Sequence, residues 1–263
     1  MKKAAVMISD GRMKVIAHEL ASAGFEVLAC TQLAELEEME RRAPEWDVLI
    51  LPIRGIDSEG NASILGVSFS MEKTLAGLRP EAQVITGLQT DYLKRLQREV
   101  KCYFEDEQVR RKNVQLTAEG ILYLLLKETT KSIFEQSIDL VGYGYVGQAT
   151  HELLTKVGIS HRIVDKCEGI TGDGVQVLSL ENWKKMEPAE VIINSAPVLV
   201  ADEETTVKWS EETFFIDIAS GAVGADAKTK ERIRYFAAPP LPGLVAEESA
   251  GKMLGDYILR QFG

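Results

Sequence analysis

Three glycines between positions 142 and 147 are the residues of this chain whose spacing indicates a specific chemistry. They lie in the segment GYGYVG, directly after the apolar segment IDLV. In a nucleotide-binding βαβ unit the first glycine makes the tight turn, the second lets the backbone approach a pyrophosphate, and the third lets the helix pack closely on the sheet. These roles fall on Gly142, Gly144 and Gly147, and Tyr145 and Val146 share the loop.

The helix expected after this loop would complete the phosphate site. Free N–H groups and the helix dipole at a helix N-terminus both favour an anion, so a pyrophosphate would bind there. The alternative interpretation is a glycine-rich turn in an α/β protein that binds nothing.

An acidic residue follows the glycines at the distance expected for the same unit. Asp165 ends the second predicted strand, where a carboxylate accepts hydrogen bonds from the ribose hydroxyls of NAD and repels the 2′-phosphate of NADP. Lys166 is next in the chain and would weaken that repulsion. The pair favours NAD over NADP as the cofactor, and the alternative is a strand-end acid in solvent.

Two later strands end in residues that would face the same cofactor. In open α/β sheets, ligands bind outside the carboxyl ends of the strands. We therefore expect the turn after EVIIN to lie near the nicotinamide ribose and the turn after FFIDI to lie near the nicotinamide ring. The candidate contacts are Asn194, Ala196, Pro197, Asp217 and Ala219. Turn formation alone is the alternative for both segments.

Three charged residues are the candidates for catalysis. Asp10 and Arg12 lie just beyond the first predicted strand, and an arginine there can bind a substrate carboxylate through two hydrogen bonds. Glu119 is expected in the first turn of a helix over residues 116–130, where the dipole favours an acid. A structural role is the alternative for each of them.

Four further residues are candidate substrate contacts. Ser68 and Ser70 would bind polar groups, and Thr117 is the expected N-cap of the helix over residues 116–130. Pro242 belongs to the stiff segment PPLPG, which would form either a rigid wall of the cleft or a linker.

The remaining reactive side chains form no recognisable site. The histidines lack metal-ligand spacing and are given no catalytic role, His151 is expected to be exposed, and the cysteines are expected to be reduced structural thiols. No GxSxG or HExxH motif supports a hydrolase. We predict no metal site. These residues are His18, His151, His161, Cys30, Cys102 and Cys167.

Composition limits the class of partner. The 263 residues are 45% hydrophobic and 27% charged, with a net charge of −10. This acidic balance argues against nucleic acid or an anionic membrane as the main partner, while leaving a small anionic substrate open. The N-terminus resembles a first strand rather than a signal peptide, and the apolar runs are too short to span a membrane. A cytoplasmic protein is expected.

Alternating strand and helix patterns predict the fold. Apolar strands followed by amphipathic helices recur in both halves of the chain, which is typical of parallel sheets with helices on both faces. We predict an α/β protein with two Rossmann-like, doubly wound domains, each with a mostly parallel sheet, linked by helices. The expected domains are residues 1–115, for substrate or partner, and residues 116–245, for NAD(P). A last helix over 246–262 would pack back on the first domain.

Several segments resemble one known family over nearly the whole chain. They are SDGRM, GVSFSMEK, CYFEDEQVRRKNVQLTAEG, the pair IINSAP and IDIASG, and PPLPGLVAEESAGKML. LTAEG and the last segment are the more specific. On these segments the chain resembles the A subunit of dipicolinate synthase. Tyr145 stands where that family usually has arginine, and Asp165 and Lys166 stand where the family tends to place one.

The resemblance implies a function. It implies an NAD(P)-dependent dehydrogenase that acts with a flavoprotein-like B subunit during sporulation, on a branch of the lysine pathway. The substrate would be a small cyclic dicarboxylate, 4-hydroxy-tetrahydrodipicolinate or dihydrodipicolinate, and the product dipicolinate. Two alternatives stay open: a non-catalytic nucleotide-binding regulatory subunit, and a related dehydrogenase with another substrate. The chain would also be able to form a homo-oligomer.

Overall fold

The computed structural model describes residues 1–64, 66–166, 168–171 and 174–263, so Cys167 lies outside the described residues. The described chain forms two compact units. The first unit is Met1–Asn113 together with Ala246–Gly263, and the second is Val114–Val245. Each is built on a mostly parallel sheet, which confirms the predicted α/β class.

The first unit contains a five-stranded parallel sheet and a separate hairpin. The sheet order is β2-β1-β3-β6-β7, and β4 pairs with β5 antiparallel. The strands are β1 (Lys3–Met7), β2 (Glu26–Cys30), β3 (Val48–Ile50), β4 (Asn61–Ile64), β5 (Val67–Ser70), β6 (Gln83–Thr86) and β7 (Val100–Cys102). The sequence patterns did not predict the hairpin.

Helices cover both faces of the first sheet, which explains why β1 is an uninterrupted apolar run. Successive side chains of β1 alternate between two hydrophobic clusters: Ala5 and Met7 belong to one, Ala4 and Val6 to the other. The helices of this unit are α1 (Gly11–Ser22), α2 (Leu33–Arg41), α3 (Glu72–Gly77), α4 (Asp91–Lys94) and α11 (Glu247–Arg260), and α5 (Glu107–Glu128) begins here.

The second unit contains a seven-stranded sheet in the order β10-β11-β9-β8-β12-β13-β14, with only β10 antiparallel among the described strands. Apart from β10, this is the strand order of dinucleotide-binding domains. The strands are β8 (Ile138–Val141), β9 (Arg162–Asp165), β10 (Gly169–Ile170), β11 (Gln176–Ser179), β12 (Val191–Asn194), β13 (Phe214–Asp217) and β14 (Arg234–Ala237). The helices are α6 (Tyr145–Val157), α7 (Leu180–Trp183), α8 (Glu203–Thr206), α9 (Ala227–Arg232) and α10 (Leu241–Val245).

A fully buried carboxylate lies in the central strand of the second sheet. Asp139 in β8 accepts hydrogen bonds from Nε (2.6 Å) and Nη2 (2.8 Å) of Arg162, from the indole N–H of Trp183 (2.7 Å) and from the backbone N–H of Ala189 (2.9 Å). A buried charge is tolerated only when it is paired and hydrogen-bonded, and these donors meet that condition. They join β8 to β9, to α7 and to the segment that enters β12.

The helix that runs through the boundary between the units begins earlier than expected. The helix α5 begins at Glu107, so the predicted start at residue 116 and the predicted N-cap role of Thr117 are wrong. Asp106 caps it instead, by accepting a hydrogen bond from the backbone N–H of Val109 (2.9 Å). Glu119 is consequently in the middle of the helix and exposed, not in its first turn. Of the helices described, none is long and apolar enough to cross a membrane.

Two glycines allow α11 to pack tightly on α1. A Cβ atom at Gly251 would lie 2.8 Å from Cγ1 of Val15 and 2.9 Å from the carbonyl oxygen of Arg12. One turn later, a Cβ at Gly255 would lie 3.1 Å from Cβ of Glu19. These separations are shorter than ordinary van der Waals contact, so the close approach of the two helices requires glycine at position 251.

We expect Gly251→Ala to lower the free energy of unfolding by about 1–2 kcal/mol. Overpacking costs about 1–3 kcal/mol, and the higher helix preference of alanine offsets up to about 1 kcal/mol. Thermal unfolding of the full chain checks this. Gly255→Ala is the matched control and should lose less, because its new methyl would lie 3.1 Å from Cβ and 3.2 Å from Cγ of Glu19 and near no described backbone atom of α1. An unchanged or higher midpoint in Gly251→Ala would show that the contact does not constrain the helices.

Candidate functional site

A cavity of about 610 Å³ opens at the carboxyl ends of β8, β9 and β12 in the second unit. The chain winds outward from β8 in both directions, so this is the point where the strand order reverses, and ligands of doubly wound sheets bind there. The lining residues are Val141, Gly142, Tyr143, Gly144, Tyr145, Val146, Asp165, Lys166, Leu180, Ser195, Ala196, Pro197, Val198 and Val200.

The glycine loop forms one wall of this cavity. Gly142 has a φ of +95°, in the left-handed region that favours glycine, and a Cβ atom there would lie 2.5 Å from Oγ of Ser195. A Cβ at Gly147 would overlap the carbonyl oxygen of Gly142, so the helix can approach the turn only without a side chain. These are the two roles predicted for the first and third glycines.

The second glycine of the motif faces open space. A Cβ atom at Gly144 would meet no described atom within 4 Å. Gly144 is also the N-cap residue of α6, and it has no side chain that could cap the helix. The first backbone N–H groups of a helix need an acceptor from outside, so this end of α6 fits an anionic group.

Asp165 is held in a defined orientation at the other side of the cavity. Its Oδ2 accepts a hydrogen bond from the backbone N–H of Tyr143 (2.7 Å), and its Oδ1 accepts one from that of Lys166 (2.6 Å). A carboxylate has about four acceptor positions, so it can still accept hydrogen bonds from hydroxyl groups of a ligand. The backbone bonds fix the carboxylate relative to the glycine loop.

Asn194 and Asp217, two of the predicted cofactor contacts, have side chains that are buried and bonded to each other. Asn194 is fully buried and Asp217 is 1% exposed. The amide of Asn194 donates to Oδ1 of Asp217 (2.9 Å) and to the carbonyl of Ala196 (3.1 Å), and its Oδ1 accepts from the N–H of Ala196 (3.1 Å). Both side chains thus hold the loops that follow β12 and β13. Ala219 donates its N–H to Asp217 (3.3 Å) and, like both of them, is outside the cavity lining among the residues described.

In the first unit, the two groups predicted for catalysis are bound to each other. Nε and Nη2 of Arg12 donate to Oδ1 (3.2 Å) and Oδ2 (2.6 Å) of Asp10, and Asp10 also caps α1 by accepting from the N–H of Arg12 (3.0 Å). Arg12 is 4% exposed. The expected two-pronged grip of Arg12 on a substrate is therefore occupied by Asp10, because the acid lies close by at the N-cap of the same helix.

The other predicted substrate contacts lie on three different elements of the fold. Ser68 and Ser70 are exposed on β5 of the hairpin. Thr117 is half-buried within α5, and Pro242 is buried in α10.

Sequence patterns missed a pair of histidines in contact. Nδ1 of His151 on α6 lies 2.7 Å from Nε2 of His161, and Nδ1 of His161 lies 2.9 Å from the carbonyl oxygen of Ile159. Since His161 donates to that carbonyl when neutral, its Nε2 accepts from His151. His151 is half-buried, not exposed as expected, and its ring packs edge-on against Tyr143 of the glycine loop (5.9 Å between centroids). The nine residues between the histidines conceal the pairing in the sequence.

Comparison with known proteins agrees with this geometry. No protein-family model matches the chain. The A subunit of dipicolinate synthase from Bacillus subtilis (strain 168) is 23% identical over 229 residues, which are 81% of this chain and 76% of that protein. The solved A subunit from Bacillus halodurans is 21% identical, with a TM-score of 0.83, over 99% of this chain and 97% of that one. The chain has the fold of the dipicolinate synthase A subunit.

The resemblance drawn from the sequence segments is therefore confirmed. A more distant solved structure has the same two-domain fold. It is the NAD-dependent formate dehydrogenase from Staphylococcus aureus in complex with NAD, which is 13% identical with a TM-score of 0.53, over 100% of this chain and 96% of that one.

We expect the stability of the second unit to fall as the pH drops below about 6.5, the ordinary pKa of histidine. Burial lowers the pKa of His161 in the folded chain, against a smaller opposing effect of the Ile159 carbonyl. In this pH range the unfolded chain binds a proton that the folded chain does not, so stability is complete at higher pH and is lost on acidification.

Urea unfolding followed by tryptophan fluorescence at several pH values measures this dependence. His161→Gln should flatten the pH dependence, whereas His18→Gln, at an exposed position of α1, should leave it unchanged. A slope that persists in His161→Gln would assign the effect to other groups.

Proposed function

We propose that this chain is a nicotinamide-dinucleotide-dependent dehydrogenase subunit of the dipicolinate synthase type. The observation that carries the proposal is the cavity at the strand-order reversal, which combines a side-chain-free helix N-terminus with an oriented carboxylate. An anionic pyrophosphate fits the first feature and a ribose fits the second.

The cofactor would extend along the carboxyl ends of the strands. The pyrophosphate would bind over Gly144, where a side chain would otherwise fill the space, and the ribose hydroxyls would donate to Asp165. The nicotinamide would lie toward Ala196 and Pro197. Asp165 favours NAD, while the neighbouring Lys166 leaves NADP usable.

The substrate in this proposal is 4-hydroxy-tetrahydrodipicolinate or dihydrodipicolinate. Conversion to dipicolinate removes a hydride and a proton, and also water from the hydroxylated form, and yields an aromatic ring. The cofactor would supply the hydride acceptor, and the protein would supply binding and orientation. The similarity to the A subunit of dipicolinate synthase supports this choice and a B subunit as the partner. A role in sporulation and action in the cytoplasm belong to the same proposal.

Asp10, Arg12 and Glu119 remain the proposed catalytic residues, and Ser68, Ser70, Thr117 and Pro242 the proposed substrate contacts. Residues 1–115 would form the substrate or partner domain and residues 116–245 the cofactor domain. Because Arg12 is paired with Asp10, the two side chains would act together.

One observation favours a second candidate, a nucleotide-binding subunit without turnover. Among the described residues that line the cavity, Asp165 is the only carboxylate, and both of its oxygens already accept backbone hydrogen bonds. It is thereby suited to hold a ribose rather than to transfer a proton.

The deciding experiment is a calorimetric titration of the purified chain with NADH and with NADPH, each with and without dipicolinate. We expect nucleotide binding whose affinity changes when dipicolinate is present, because neighbouring ligands in one cleft influence each other. A nucleotide affinity that is the same with and without dipicolinate would favour the second candidate. Absence of any nucleotide binding would overturn both.

Gly144→Val tests the pyrophosphate position. The open space at this position predicts a folded variant, while the branched side chain would occupy the phosphate site. We expect at least about a tenfold loss of NADH affinity, about 1.4 kcal/mol, with an unchanged circular dichroism spectrum. Gly169→Ala, also in open space but away from the loop, is the control. Unchanged NADH binding in Gly144→Val would remove the proposed binding mode.

Asp165→Ala tests the cofactor preference. Hydrogen bonds to a charged group contribute about 1.5–3 kcal/mol, so NADH affinity should fall roughly tenfold or more. The variant also removes the bond to the Tyr143 N–H, which affects both cofactors equally, and the informative quantity is therefore the ratio of the NADH and NADPH dissociation constants. A variant that loses more affinity for NADPH than for NADH would contradict the assignment.

A further inference from the structure

The loop after β13 is built around the buried carboxylate of Asp217. Its Oδ1 accepts from Asn194 and from the N–H of Ala219, and its Oδ2 accepts from the N–H of Gly224 (2.8 Å) and from the hydroxyl of Tyr235 (2.9 Å). Two of these donors come from the strands on either side of β13: Asn194 from β12 and Tyr235 from β14.

Tyr235 is well suited to be a permanent donor. Burial and the hydrogen bond to Asp217 raise the pKa of its hydroxyl, so it keeps its proton and can only donate to the carboxylate. Its ring stacks on Phe215 of β13, with centroids 5.9 Å apart and planes at 20°. The ring position therefore depends on packing and not on the hydroxyl.

The same hydroxyl lies beside a strained backbone position. Ala222 has a φ of +49°, in the left-handed region that a residue with a Cβ rarely adopts. Its carbonyl oxygen lies 3.1 Å from the Tyr235 hydroxyl and accepts from Nζ of Lys230 (2.7 Å). Such a conformation persists only where surrounding contacts determine it.

The loop is connected to the cofactor cavity through Gly224. Its N–H donates to Asp217, and its carbonyl accepts from the N–H groups of Val200 and Ala201 (2.9 Å each). Val200 lines the cavity. A Cβ atom at Gly224 would lie 2.9 Å from Oδ2 of Asp217, so the backbone is pressed against the carboxylate.

We propose that Tyr235 is a positioning residue for the cofactor cavity: through Asp217 and Gly224 its hydroxyl fixes the cavity wall at residues 196–200. Tyr235 does not line the cavity and acts only through these partners. The inference rests on the proposed cofactor role of that cavity. The expected signature is weaker nucleotide binding without a loss of fold.

Tyr235→Phe is the test variant, because it deletes only the hydroxyl and keeps the stack on Phe215. Couplings of this kind are worth about 0.5–2 kcal/mol, so the dissociation constant for NADH should rise roughly 2–30-fold. The measurement is calorimetric titration of the full chain at a temperature well below the unfolding midpoints of all variants.

Thr206→Val is the matched control. The hydroxyl of Thr206 is buried in the same unit and lies 3.1 Å from that of Thr229, so its removal also destabilises the unit. In the described structure this hydroxyl does not bond to Tyr235, Asp217 or Gly224. The variant should bind NADH like the unmodified protein. The proposal is overturned if Tyr235→Phe binds NADH normally, or if both variants weaken binding in proportion to their loss of thermal stability.

Amide hydrogen exchange separates this inference from the proposed function. In Tyr235→Phe, and not in Thr206→Val, the amides of Val200, Ala201 and Gly224 should exchange faster, whether or not a nucleotide binds. If the unmodified chain binds neither NADH nor NADPH, the proposed function fails, and exchange alone then decides whether Tyr235 holds this wall. Equal exchange rates in the two variants would overturn the link.

Discussion

The second unit depends on satisfying two carboxylates that have no access to water. Asp139 lies toward the amino end of β8 and Asp217 at the carboxyl end of β13. Each would be prohibitively costly without donors, and each recruits them from several elements at once. Polar bonds therefore hold the sheet at both ends and specify which strands and loops are neighbours. Apolar packing alone would specify these neighbours less selectively.

The cavity owes its shape to this arrangement. Its glycine loop is fixed by Asp165, and its opposite wall is fixed by Asn194, which is itself oriented by Asp217. A ligand in such a cleft meets backbone groups that are already in place, so less ordering is required on binding. Buried side chains thus shape the surface of a site that they do not enter.

The fold and the glycine loop could be predicted because their signals are local: strand and helix periodicity, and three glycines with defined backbone tasks. The roles of Asn194 and Asp217 could not, since the β12–β13 register that places them side by side is a long-range property. An acid inside an apolar strand was the available signal for Asp139. The predicted start of α5 is too late because the first turns of this helix are polar. The histidine pair is not predictable from local patterns, because its members belong to two different segments of the chain.

The first unit is discontinuous in sequence, and this has a consequence for how the protein is made. The face of α1 that Met253, Leu254 and Ile258 cover lacks these partners until α11 has left the ribosome. At typical synthesis rates of about 5–20 residues per second, the intervening second unit delays them by on the order of ten seconds. The nascent first unit therefore keeps an uncovered apolar surface throughout the synthesis of the second unit.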